Sequence, residues 1–169
     1  MSLARLLRHA TAIHWRTRMK FPSATLDAIE AAVTAAERAH TGEIRFAVET
    51  ALTPWHVLHG MTPRARALEV FAHLRVWDTE RNNGALIYVQ LADRHVEIVA
   101  DRGFQGRVSA PEWEAVCRVM EEHFRQGRFQ SGSVAGVEAV GTLLARHYPL
   151  LPDASGHHKN QLPDRPTLL

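Results

Sequence analysis

Four carboxylates (Glu43, Asp78, Glu80 and Asp101), two adjacent amides (Asn82 and Asn83), the hydroxyl of Thr79 and the guanidiniums of Arg81 and Arg102 are the groups best placed to do chemistry in this chain. Carboxylates combined with amide and backbone carbonyls form the ligand set of a hard cation such as calcium or magnesium. Guanidiniums beside loops flanked by glycine, here Gly84 and Gly103, suit a phosphate or carboxylate. Asp78 and Asp101 are the candidate cation ligands. Glu43, Thr79, Arg81, Asn82, Asn83 and Arg102 are the candidate ligand-binding residues. A plainer reading stands beside both: Asp, Asn and Thr bond their own backbone in turns, and glycine supplies the backbone angles that turns need. The spacing matches neither an EF-hand loop nor a P-loop.

These residues need elements to bring them together. Ala85 to Leu91 is apolar on both parities except Gln90, the pattern of a central strand covered on both faces. Ala92-Asp93-Arg94 breaks it, and His95 to Ala100 reads as a further strand. Paired as a hairpin, the two strands carry the 78–84 loop and Asp101-Arg102-Gly103 to one edge. Glu43 to Glu49 alternates, with Ile44, Phe46 and Val48 one way and Glu43, Arg45 and Glu49 the other, so it is expected to be a strand covered mainly on one face. Between it and Ala85 lies an irregular stretch, 50–62, then a helix from Thr62-Pro63 to about Trp77. A helical crossover makes these two strands parallel, which would bring Glu43 to the same edge.

Helices are expected from Ser23 to His40, from the capping box Ser109-Ala110-Pro111-Glu112 to Gly127, and from about Ser131 to His147. Gly136 and Gly141 in the last imply close helix–sheet packing. The resulting class is α/β, a three-layer α/β/α sandwich with a small mixed sheet. Ser2 to Met19 reads as one basic amphipathic helix. It is expected to pack on the domain with its basic face in solvent, the alternative being a membrane-surface or partner contact. The units are thus a helix over 1–20, a domain over 21–149 and a disordered tail over 150–169, where four prolines fall from Pro149 onward.

The remaining chemistry is thin. His56 and His59 stand three apart with no carboxylate nearby and read as a surface loop; His157 and His158 read as inert tail residues. Ser131 and Ser133 lack a Gly-x-Ser-x-Gly setting. Cys117, the single cysteine, excludes an intramolecular disulfide and a Cys-rich zinc site, and its place on an apolar helix face implies a buried, inert thiol. The net charge of +2 does not imply a nucleic-acid partner. No run approaches a membrane span and no apolar signal-peptide core is present, which gives a cytoplasmic expectation, with the basic helix able to touch the inner membrane face.

Arg75 to Tyr88, containing Asp78-Thr79-Glu80-Arg81-Asn82-Asn83-Gly84, resembles the signature of the TPM domain family, also called the TPM-phosphatase family. Val96 to Gly103 resembles its second signature, Thr41 to Arg45 its opening strand, and Phe124 to Phe129 its closing element. The resemblance covers about residues 23 to 149. It implies an α/β/α sandwich with a small sheet. It also implies a calcium or magnesium site in loops at a sheet edge in some members, and acid phosphatase activity in others. Arg102 stands where secreted members usually carry an uncharged residue, which favours an anion there. The expected function is a module binding a ligand or divalent metal, with an unknown protein or small anionic ligand as partner. The alternative is a weak metal-dependent phosphatase acting on phosphate monoesters. No nucleophile–base pair with a recognised spacing is present.

Overall fold

A computed structural model describes residues 3–12, 14–150 and 160–169, with the backbone alone for 14–16. In order the elements are α1 (Leu3–Ala10), α2 (His14–Lys20), α3 (Ser23–Ala36), β1 (Glu43–Glu49), α4 (Pro54–Leu58), α5 (Pro63–His73), β2 (Gly84–Gln90), β3 (His95–Ala100), α6 (Ala110–Arg125), α7 (Phe129–His147) and β4 (Thr167–Leu168). The sheet order is β3-β2-β1-β4. β1 and β2 are parallel, β2 and β3 antiparallel, as the helical crossover and the tight hairpin require.

Alternation along the strands builds two cores. Ile44, Phe46, Val48, Ala85, Ile87 and Val89 face α3, α6 and α7 through Ile29, Val33, Met120, Val137, Val140 and Leu144. Ala47, Leu86, Tyr88 and Val99 face the other way, against Ala67 and Val70 of α5, Val76 and Leu162. This is the expected α/β/α sandwich. Gly136 and Gly141 serve helix–helix contacts instead of the helix–sheet contact expected. A Cβ on Gly136 would stand 2.3 Å from the sulfur of Met120 in α6, and one on Gly141 2.8 Å from the Cβ of Ala36 in α3.

Three further expectations change. First, β1 is buried along all seven residues, not on one face. Its polar face is covered because each charge there has a partner. Arg66 of α5 donates to Glu49 (Nη2 to Oε1, 2.8 Å), as does the hydroxyl of Tyr88. Arg45 donates to the carbonyls of Pro163 and Arg165 and, at 2.5 Å, to the hydroxyl of Thr167.

Second, the tail is folded where it is described. Residues 160–169 cross that face, bury Leu162 and add β4, which pairs parallel to β1 with Ala47 opposite Thr167. Arg165 binds Asp27 and Glu30 of α3. Residues 151–159, with His157 and His158, lie outside the described residues.

Third, the N-terminal segment is two helices. The Leu7 carbonyl accepts both the N–H of Thr11 at 2.9 Å and its hydroxyl at 2.7 Å, the next N–H, from Ala12, turns to the His9 carbonyl at 3.3 Å, and α1 stops at Ala10. α1 also sits the other way round from the expectation. Arg5 binds Asp93 at 2.8 Å, and buried His9 accepts the N–H of Leu52 on Nδ1 while its Nε2 stands 3.1 Å from Asp93. Leu3 and Leu7 face outward, 72% and 56% exposed. The carboxylate of Asp93, held below its usual range by Arg5 and His9 in spite of partial burial, decides the orientation. Among the described residues no helix is long and apolar enough to cross a membrane.

Candidate functional site

The strand register assembles the edge anticipated from the sequence. Glu43 pairs with Gly84 and Ala85 with Ala100, so the chain entering β1, the chain entering β2 and the chain leaving β3 meet. Three backbone bonds tie them together. Asp101 donates to the Gly84 carbonyl at 2.9 Å, Gly103 to that of Asn82 at 2.9 Å, and Glu43 to that of Asn83 at 3.2 Å. The approach is close enough to require glycine at 103, where a Cβ would stand 2.4 Å from the Asn82 carbonyl oxygen. The hydroxyl of Tyr148, at the end of α7, donates to the Gly103 carbonyl at 2.5 Å and closes the loop from outside.

Much of the polar cluster holds this geometry. Buried Thr79 accepts the N–H of Asn83 on its hydroxyl at 3.0 Å. Asn83, fully buried, donates through Nδ2 to the Thr41 carbonyl at 2.8 Å. Asn82 takes the left-handed backbone, φ +52°, which asparagine tolerates better than most residues. Asp101 accepts the N–H of Arg102 on Oδ1 at 2.7 Å and caps the single 3-10 turn Arg102–Phe104. Turn capping therefore accounts for Thr79, Asn82, half of Asn83 and half of Asp101.

The other halves are unaccounted for. Asn83 Oδ1 and Asp101 Oδ2 are shielded from solvent and have no hydrogen-bond partner among the described residues. Around them Asp78, Glu80, Arg81 and Arg102 are exposed, and Arg81 donates to the Thr41 hydroxyl at 3.2 Å.

Glu43 is placed elsewhere. Its backbone joins the edge, but strand alternation turns its side chain to the α5 face, where Oε2 accepts the N–H of Leu162 at 3.1 Å. Burial pushes this carboxyl up to about 7, against the N–H bonds from Gln161 and Leu162. Glu37, just beyond α3, accepts the N–H of Ile44 at 2.9 Å, and burial pushes it up to about 8. Gln161 is a residue the sequence did not point to: its Oε1 accepts the N–H of Glu80 at 2.9 Å, so the tail clips the 78–84 loop. A Pro-rich stretch without periodicity gives no signal for such a contact.

Among the described residues no three or more His, Cys, Asp or Glu side chains converge into a metal-ligating group. A cation at this edge would therefore rest on amide and carbonyl oxygens as well as carboxylate.

The model of the TPM domain matches residues 20–143. The chain belongs to the TPM domain family. It is similar to the BA42 protein of the psychrophilic bacterium Bizionia argentinensis, with 30% identity over 87% of this chain and 94% of that one and a TM-score of 0.74. The N-terminal domain of a P. gingivalis protein shares the fold at 22% identity, covering 72% of this chain and 76% of that one, with a TM-score of 0.51. No curated protein matches the chain. In this TPM domain both signature stretches lie at one sheet edge, and Cys117 is outside it. Burial pushes that thiol up to about 12, as expected of an inert cysteine.

Proposed function

We propose that this TPM domain is a binding module whose loop edge takes a divalent hard cation, calcium or magnesium, with Asp101 and Asn83 as its inner ligands. One observation carries the reading: Asn83 Oδ1 and Asp101 Oδ2 are two shielded acceptor oxygens without donors among the described residues, in the loops entering β2 and leaving β3 that the Asp101–Gly84 backbone bond ties together. Buried acceptors left unmet are costly, and a cation with oxygen preference satisfies both. Exposed Asp78 and loop carbonyls would complete the set. Arg81 and Arg102 stand ready for the anionic group of a partner protein or small ligand that shares the ion.

The second reading, hydrolysis of phosphate monoesters at the same edge, draws on those two exposed arginines. There a cation would polarise the phosphoryl oxygen, an arginine would neutralise developing charge and a carboxylate would activate water or attack directly; no nucleophile–base pair of recognised spacing in the sequence adds to it.

Calorimetry with calcium and with magnesium tests the first reading. Binding of millimolar affinity or better is expected in the wild type and is lost in Asp101→Asn, which keeps an acceptor for the Arg102 N–H. Absence of binding by either ion in the wild type would sink it. A phosphate-ester assay with added metal separates the readings, since the module should show no turnover that depends on Asp78 and Asp101.

A further inference from the structure

A second site lies at the opposite end of the parallel strands. Gln90, the last residue of β2, is wholly buried. Its Oε1 accepts the N–H of Asp93 at 2.6 Å, which fixes the orientation of the amide and leaves Nε2 on the other side. That Nε2 is shielded from solvent and has no hydrogen-bond partner among the described residues. Gln90 lines a cavity of about 270 Å³, a small volume beside the roughly 300–1,000 Å³ of ordinary ligand pockets.

The cavity has an apolar side and a cationic rim. Phe124 and Phe129 line it with rings stacked at 5.3 Å between centroids. Gly127, φ +74°, ends α6 between them and adds no side chain to the opening. Lys20, Arg94 and Arg125 bring three cations, and Lys20 Nζ stands 5.0 Å from the Phe129 ring centre. Glu121 and His95 also line the cavity, and the acids here are already engaged. Glu121 accepts the N–H of Val96 at 3.0 Å and faces His95 Nδ1 at 2.9 Å, and Glu122 pairs with Arg125 at 2.5 Å on the outer surface. Arg94 is exposed and held at φ +56°, a conformation that favours glycine or asparagine.

We propose that this cavity binds a small organic carboxylate with a flat apolar body. The carboxylate would accept from Gln90 Nε2 and lie under Arg94 and Lys20, with the body against Phe124 and Phe129. Sheets with parallel strands take ligands beyond the carboxyl ends of those strands, and Gln90 stands at that end. The site is separate from the cation edge, and the failure of either leaves the other standing.

Amide-detected NMR titration of the full chain with benzoate, benzyl alcohol and acetate tests it. Benzoate is expected to give saturable shifts at the Gln90 side-chain amide and at Arg94. Acetate and benzyl alcohol, each lacking half of the ligand, should bind at least fivefold more weakly. Arg94→Gly should weaken benzoate at least fivefold without lowering Tm, because glycine accepts the local backbone. Gln90→Leu should weaken it too; if that variant does not fold, Arg94→Gly decides. Equal binding of benzyl alcohol, an unshifted Gln90 amide, or an unchanged Kd in Arg94→Gly would overturn the proposal.

Discussion

The carboxyl of Glu43 is 1% exposed and is kept there by two backbone N–H groups of the tail. With Glu37, it holds its proton to a higher pH in the folded chain than in the unfolded one, where both titrate near 4.5. Between those values the native state binds more protons, so stability falls as pH rises. The stabilising contribution is fully present below about pH 4.5 and is lost through about 7 for Glu43 and about 8 for Glu37. Denaturant midpoints measured from pH 5 to 8 should therefore decline. Glu43→Gln, which keeps an acceptor for the Leu162 N–H, should decline less and exceed the wild type at pH 8. A wild-type midpoint that is flat over this range would contradict the burial argument.

At the scale of elements, the tail carries the next prediction. Removing residues 160–169 strips Arg45 of its three tail acceptors and uncovers the face on which Leu162 is buried. Burying a leucine contributes about 2 kcal/mol, and about 2–4 °C of Tm accompanies each kcal/mol in a chain of this size, so Tm should fall by about 5 °C or more. Hydrogen exchange should rise first in β1, the strand the tail covers. Equal protection of β1 in both chains would show the tail to be idle.

β1 and β3 were legible to the residue because alternation and turn residues both bound them, and the hairpin placed Asp101 beside Gly84. The cover of β1 was not legible. Glu43, Arg45 and Glu49 read as a solvent face, since a sequence does not reveal that Arg66, Tyr88 and tail carbonyls will meet them. At the site, residue types identified the edge, while the unmet oxygens on Asn83 and Asp101 emerge only once the neighbouring turns have used the other halves of those side chains. The cavity at Gln90 had no sequence signal beyond one polar residue ending an apolar strand.

For the whole molecule, the inverted seating of α1 matters. Leu3 and Leu7 share the outside with Trp55 and Leu58 of α4, which α1 packs beside. Apolar side chains next to basic ones such as Arg8 favour an anionic lipid surface. Co-sedimentation with anionic vesicles should accordingly drop in Leu3→Ser/Leu7→Ser on the full chain. Equal partitioning of the two proteins would remove membrane contact from the account.

The short β4 has a consequence for how copies of this protein treat one another. A bare strand edge invites a strand from another molecule. Here one margin of the sheet is taken by a two-residue strand that follows Pro166 and is too short to template a partner. At the other margin, two outer groups of β3 are taken by side chains, the Ile98 carbonyl by Arg64 at 2.6 Å and the Val96 N–H by Glu121 at 3.0 Å. Both margins are obstructed, so crowding should not readily string these domains into ribbons. A chain cut before Asn160 would bare the margin of β1 that β4 pairs with at Ala47 and Val48, and should scatter light on standing.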